Sequence, residues 1–139
     1  VANTGPNFGT DLAVAPDANG ILDISPMLTY ATGIQVLIQS LMCRQMCVKG
    51  SIVGAPNEGI DVRTYVRQGL TQEVLGKLPS VLQKELQRDE RVKTATVTGG
   101  YDTARNTLTL NEVFETTLGP FSLTLEVSAV TVTLLGSTP

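Results

Sequence analysis

Twelve of the eighteen threonines lie at or beyond position 92. β-branched side chains suit a pleated, half-buried surface and lose rotamer freedom in a helix. The last third of the chain therefore reads as strand, over residues 92–98, 106–115 and 121–135. Gly99-Gly100 opens the first turn and Leu118-Gly119-Pro120 makes the second. Connections this short join antiparallel neighbours, which predicts a three-stranded meander.

Before position 92 the apolar period changes. Ile34, Leu37, Ile38, Leu41, Met42 and Met46 recur at three-and-four spacing, which predicts a helix over residues 32–47 with Thr32 as N-cap. Gln35, Gln39, Arg44 and Gln45 fall mostly on its other side. Val74, Leu75, Leu78, Val81, Leu82 and Leu86 predict a second main helix over residues 71–88. Pro79 lies inside it and predicts a kink or break at Leu78. Between the two, residues 50–59 read as a Gly-rich loop. Residues 60–66 read as a short helical turn capped by Asp61 and ended by Gly69.

Residues 1–20 are rich in Asn, Gly, Pro, Asp and Ala and read as an extended arm. A short strand is expected over 10–15 and a turn at Pro16-Asp17-Ala18-Asn19-Gly20. Residues 21–24 read as a further short strand. Asp11, Asp17 and Asp23 lie in residues 1–32 with no base. The remaining ten acids balance ten bases, so the net charge of -3 belongs to this N-terminal stretch.

The last strand changes phase. Phe121, Leu123, Leu125 and Val127 alternate with polar residues, and the apolar set then jumps to Val130, Val132 and Leu134. A strand exchanges its faces only at a bulge or bend. The slip at Ser128-Ala129 predicts either a bend around the helices or a second surface, which would give residues 130–134 a partner outside the domain.

Composition narrows the function classes. There is no His, which removes the commonest general base and metal ligand. With acids in excess of bases and aromatics at 4%, no nucleic-acid footprint is expected. The longest apolar run is far short of a membrane span, and no secretory leader is expected. Val1 is compatible with removal of an initiator Met, and a reducing cytosol is the default compartment. Cys43 and Cys47 share a helical face and read as small apolar core residues. A metal site lacks further ligands. Glu58 with Asp61, or Asp89 with Glu90, are the carboxylates a hydrolase could use, but neighbours such as Asp89 and Glu90 point in different directions, and a solvated surface is the favoured reading. The charged run Lys84, Glu85, Arg88, Asp89, Glu90, Arg91, Lys93 reads as a solvated helix end or a polar contact site. No catalytic, cofactor or metal residue is assigned.

Taken in order, several short segments carry a likeness. They are Phe8-Gly9-Thr10-Asp11-Leu12, Leu41-Met42-Cys43-Arg44-Gln45-Met46, and Gly50-Ser51 followed by Pro56-Asn57-Glu58-Gly59-Ile60-Asp61-Val62-Arg63. Asp89-Glu90-Arg91-Val92 and Gly119-Pro120-Phe121-Ser122-Leu123 follow. Over nearly its whole length the chain resembles the small baseplate wedge family of contractile-tailed bacteriophages, also called the sheath initiator. It departs from the family where Glu90 stands at a usual Pro and where Cys47-Val48-Lys49 replaces the usual Thr-Pro-Arg.

The expected fold is a single α+β domain over 1–139, with two main helices on a small antiparallel sheet of about three strands and an extended N-terminal arm. The resemblance implies a structural part of a virion tail baseplate, assembled in the bacterial host cytoplasm in six copies around a tail tube. It would join the wedge core-bundle proteins to the first ring of tail sheath protein, with tube or hub proteins as further neighbours. Asp89, Glu90, Arg91, Arg63 and Arg44 would face the wedge. Val130, Thr131, Val132, Thr133 and Leu134 would pair with a sheath strand by β-augmentation. Truncation after Val127 is then expected to leave a folded monomer, and Arg91→Ala to weaken incorporation while barely moving the melting temperature. The alternatives are a peptidoglycan hydrolase or an unrelated α+β binding domain.

Overall fold

The computed structural model describes residues 9–16 and 22–138. Four short strands come first: β1 (Thr10–Leu12), β2 (Val14–Pro16), β3 (Leu22–Ile24) and β4 (Tyr30–Thr32). Helices α1 (Ile34–Met46), α2 (Val62–Gln68) and α3 (Gln72–Leu86) follow. Strands β5 (Val92–Asp102), β6 (Thr107–Thr116), β7 (Gly119–Val127) and β8 (Val132–Thr138) close the chain. The last four form one antiparallel sheet in the order β5-β6-β7-β8.

The sheet is one-sided. Leu108, Leu110 and Phe114 of β6 and Phe121, Leu123, Leu125 and Val127 of β7 point to the helices. There they meet Leu37 and Leu41 of α1, Val62 and Val66 of α2, and Leu78, Leu82 and Leu86 of α3. The rings of Phe114 and Phe121 stack with centroids 4.9 Å apart. Thr94, Thr96, Thr98, Asn111 and Glu115 occupy the exposed face. Thr94, Thr96 and Thr98 thus mark the solvent side of a half-buried sheet, where a β-branched polar residue keeps the pleat and meets water, while Thr107 and Thr116 of β6 are buried.

The expected two helices on about three strands are corrected to three helices and a four-stranded sheet. The segment read as a helical turn is the helix α2, whose N-cap Asp61 accepts a hydrogen bond from Arg63 N at 3.1 Å. The single strand expected over 121–135 is two strands, β7 and β8. The phase slip is the reversal between them: Ser128 N donates to Thr131 O, and Ser128 Oγ accepts from Val130 N and Thr131 N. A chain that turns back on itself restarts its alternation, so no bend of one long strand is needed.

The extended arm is also corrected. β1 pairs with β4, and β2 pairs with β3, both antiparallel. The Gln39 side chain clamps this region to α1, accepting from Val14 N and donating to Leu12 O. Residues 1–8 and the turn centred on residues 17–20 lie outside the described residues.

Local differences have local causes. Thr32 is in β4, and Gly33, with φ 61, stands at the α1 N-cap without a side-chain bond. Gly99 and Gly100 lie within β5 opposite Leu110 and Thr109, and the turn comes at residues 103–106, with Asn106 at φ 50. Helix α3 runs through Pro79 without a break, seated on the core by Leu78, Leu82 and Leu86.

Candidate functional site

Two Asp-x-Arg segments build the same local device. In Asp89-Glu90-Arg91, Asp89 Oδ1 accepts from Arg91 N at 3.0 Å and Arg91 Nε at 2.9 Å, and Oδ2 accepts from an Arg91 terminal nitrogen at 2.7 Å. In Asp61-Val62-Arg63, Asp61 Oδ1 accepts from Arg63 N at 3.1 Å and Nε at 2.8 Å, and Oδ2 accepts from a terminal nitrogen at 3.2 Å. A planar guanidinium two residues on can meet both oxygens while the backbone N–H turns toward the same carboxylate.

Each device ties separate elements together. Arg91 donates to Ser40 Oγ on α1 at 2.9 Å. Arg63 donates to the Met46 carbonyl at the end of α1 at 2.9 Å and to the Val130 carbonyl at 3.3 Å. Burial by itself would raise the Asp89 carboxyl, but the bonds and charge of Arg91, with Arg44 nearby, hold it below its ordinary value. Arg91 is raised in turn, chiefly by its bond to Asp89.

Arg44 turns inward from α1. It contacts Glu85 Oε1 of α3 at 3.2 Å and Glu58 Oε2 at 3.3 Å. Glu85 Oε1 also accepts from Gly59 N at 2.8 Å, and its other oxygen lies 3.4 Å from Arg88. Burial opposes the Glu85 charge, but the Gly59 N–H and the two arginines hold its carboxyl below the ordinary value. Of the residues expected to face a wedge, Arg44, Asp89 and Arg91 are brought together around one stretch of α1. Arg63 meets the Met46 carbonyl at the C-terminal end of the same helix, in whose last turn Arg44 lies, and forms its ion pair with Asp61 instead. Glu90 is exposed. The carboxylates weighed for hydrolysis are engaged with arginines at Glu58, Asp61 and Asp89.

The residues expected to face a sheath subunit divide. Val130 projects from the turn, 70% exposed, and Thr133 is exposed. Val132 is 2% exposed and belongs to the core of the chain itself, with Leu134 packed beside it. Strand β8 is an edge of the sheet, and among the described residues no strand pairs with its outer side. A groove of about 470 Å³ runs there, walled by Val132, Thr133 and Leu134, by Ile38 and Met42 of α1, and by Tyr30 and Ala31 of β4.

The cysteines are not core residues. Cys43 is exposed, Cys47 is half-buried, and their sulfurs lie 3.7 Å apart on the outer side of α1. Burial, then the hydrogen bond with Cys43, pushes the Cys47 thiol above its ordinary value. Among the described residues no group of three or more His, Cys, Asp or Glu could hold a metal ion. No helix of the described residues is long and apolar enough to cross a membrane.

Sequence reasoning missed two buried polar side chains. Gln45 of α1 and Glu112 of β6 are both 0% exposed, and Gln45 Nε2 donates to Glu112 Oε2 at 3.0 Å. The β6 alternation pointed to Glu112, since it shares a face with Leu108, Leu110 and Phe114. The α1 spacing pointed to Gln45 as well, four residues after Leu41 and seven after Ile38, but its polarity reads as the outer side of the helix.

No family model matches the chain, and comparison with curated proteins finds no similar sequence.

Proposed function

We propose that this chain is a structural component of a contractile tail baseplate that joins the inner wedge to the first sheath ring. In this reading it initiates sheath assembly by accepting a strand along β8. The observation that carries the reading is the outer side of β8, unpaired among the described residues, beside a partly apolar groove. An edge strand offers a row of unpaired backbone donors and acceptors, which natural proteins leave uncovered at a cost in aggregation. An added strand takes affinity from those groups and specificity from alternating side chains. The motif order given above supplies the partner class.

The wedge contact belongs in this reading to the α3–β5 junction, where Glu90 and Lys93 are exposed beside the Asp89–Arg91 pair. Arginines and carboxylates there serve to brace the junction, which suits an assembly role better than catalysis.

The test is seeded assembly. Purified chain mixed with sheath subunits should shorten the lag of sheath polymerisation, read by light scattering and negative-stain microscopy. Leu135→Lys, at an exposed position of β8, should abolish seeding while leaving the circular dichroism spectrum unchanged. Seeding that survives this variant removes β8 from the mechanism, and clearing of a peptidoglycan suspension by the wild-type chain replaces the reading with a hydrolase.

A further inference from the structure

The four carboxylates buried among the described residues are treated differently by their surroundings. Asp61 meets Arg63, Glu85 meets Arg44 and Arg88, and Asp89 meets Arg91. Glu112 meets no cation. Its cross-strand neighbours are Val97 on β5 and Leu123 on β7, both apolar. On its own strand it is flanked across the pleat by Leu110 and Phe114, and the polar group facing it from α1 is the Gln45 amide. No charged group contributes to its titration: burial raises it, and the Gln45 bond opposes that.

The hydrogen bonds of this pair are incomplete in a specific way. Gln45 Nε2 donates to Glu112 Oε2, while Gln45 Oε1 and Glu112 Oε1 have no hydrogen-bond partner. Both orphans are acceptors, one on each side of the pair. Leaving two buried acceptors unpaired is costly, and native interiors avoid it. A single hydrogen between them satisfies both, and a protonated carboxyl carries that hydrogen.

We propose that Glu112 keeps its proton in the folded chain and donates it to Gln45 Oε1, closing an acid–amide ring that latches α1 to the sheet, and that loss of this proton releases the latch. Burial places the carboxyl at about 7, up from 4.5. The folded value lies above the unfolded one, so the stabilisation is complete below pH 4.5. It is then lost progressively as pH rises toward 7 and is gone above it. The latch sits in the range where physiological pH changes act. Helix α1 also walls the groove beside β8 through Ile38 and Met42, so the same proton bears on the shape of that groove.

The test uses the full chain and needs no variant to begin. Carboxyl carbon NMR should show Glu112 titrating near pH 7, with the Gln45 side-chain amide resonances moving at the same midpoint. The folding equilibrium should weaken on the order of a hundredfold between pH 5 and pH 8 from this group. Glu112→Gln, which retains the shape and removes the proton, should lose that slope. A Glu112 midpoint in the ordinary carboxylate range, or a Gln45 amide that does not follow it, overturns the proposal.

Discussion

The Arg63 guanidinium donates to the Val130 carbonyl oxygen at 3.3 Å, and so ties α2 to the turn between β7 and β8. One helical turn on, Arg67 Nε donates to the Ala129 carbonyl at 2.6 Å. The reversal that creates the edge strand is therefore held from outside the sheet by two cations of a seven-residue helix. Charged donors on carbonyls are stronger than neutral ones, and here they satisfy acceptors that a tight turn leaves bare.

Arg67→Ala should lower stability by about 1 kcal/mol, below the usual worth of a charged donor because the bond is exposed to water. Arg63→Ala should cost about 2–3 kcal/mol, because it also releases the Met46 carbonyl and leaves the mostly buried Asp61 carboxylate without its cation. Chemical denaturation measures both. Hydrogen exchange should show faster exchange in β8 for each variant, and unchanged β8 protection would mean that the turn holds without them.

Arg91→Ala should lower the melting temperature, contrary to the expectation from its place in the Asp89-Glu90-Arg91-Val92 segment. Removing Arg91 strips Asp89 of both guanidinium bonds and frees Ser40, at a cost of about 2 kcal/mol after allowing for partial exposure. The pH profile gives a second check. The Asp89 folded value lies below its unfolded 3.8, so its ion pair stabilises fully above that value. The stabilisation is lost as pH falls through the lower folded value. In Arg91→Ala this acid branch should flatten, and a wild-type acid profile would show that Asp89 does not depend on Arg91.

Truncation after Val127 should leave a destabilised chain instead of an intact monomer. It removes β8, and with it Val132, whose burial alone is worth about 1.5–3 kcal/mol. It also bares the β7 edge. A surface change such as Leu135→Lys should stay within about 0.5 kcal/mol of wild type. Thermal unfolding of the two side by side separates folding from docking, and a truncated chain as stable as wild type would mean that β8 contributes nothing to the core.

Where one face of an element is buried, the sequence was easy to read. Alternation marked β6 and β7, and the three-and-four period marked α1 and α3, because burial imposes those periods on side chains. The Ser128 slip was visible too, but a phase change is common to a bulge, a bend and a reversal. Only the pairing of Val127 with Val132 distinguishes them. The short ribbons β1–β4 and β2–β3 carry too few residues for a period. The site was less legible for a related reason. Arg63, Arg91 and Arg44 read as outward charges, yet each turns back to a carboxylate close by in sequence or across the α1–α3 contact, and polarity alone does not say which way a long side chain folds.

Among the described residues, Gly59→Ala should be the most damaging single-methyl addition at a loop glycine. Gly59 has φ +100, and a Cβ there would sit 2.8 Å from the Cys47 carbonyl oxygen, a backbone atom next to the end of α1. Its N–H is also the 2.8 Å donor to Glu85 Oε1, so any shift loosens the carboxylate that Arg44 and Arg88 share. The expected loss is about 2 kcal/mol or more, from left-handed strain together with the displaced contact. Gly54→Ala is the control: Gly54 has φ +83 but nothing within 4 Å of an added Cβ, so only the strain of about 1 kcal/mol applies. Denaturation of the two variants measures the difference. Equal losses would show that the approach of the loop to Cys47 is soft, and a larger loss at Gly59 would show that this contact holds the Glu85 cluster in place.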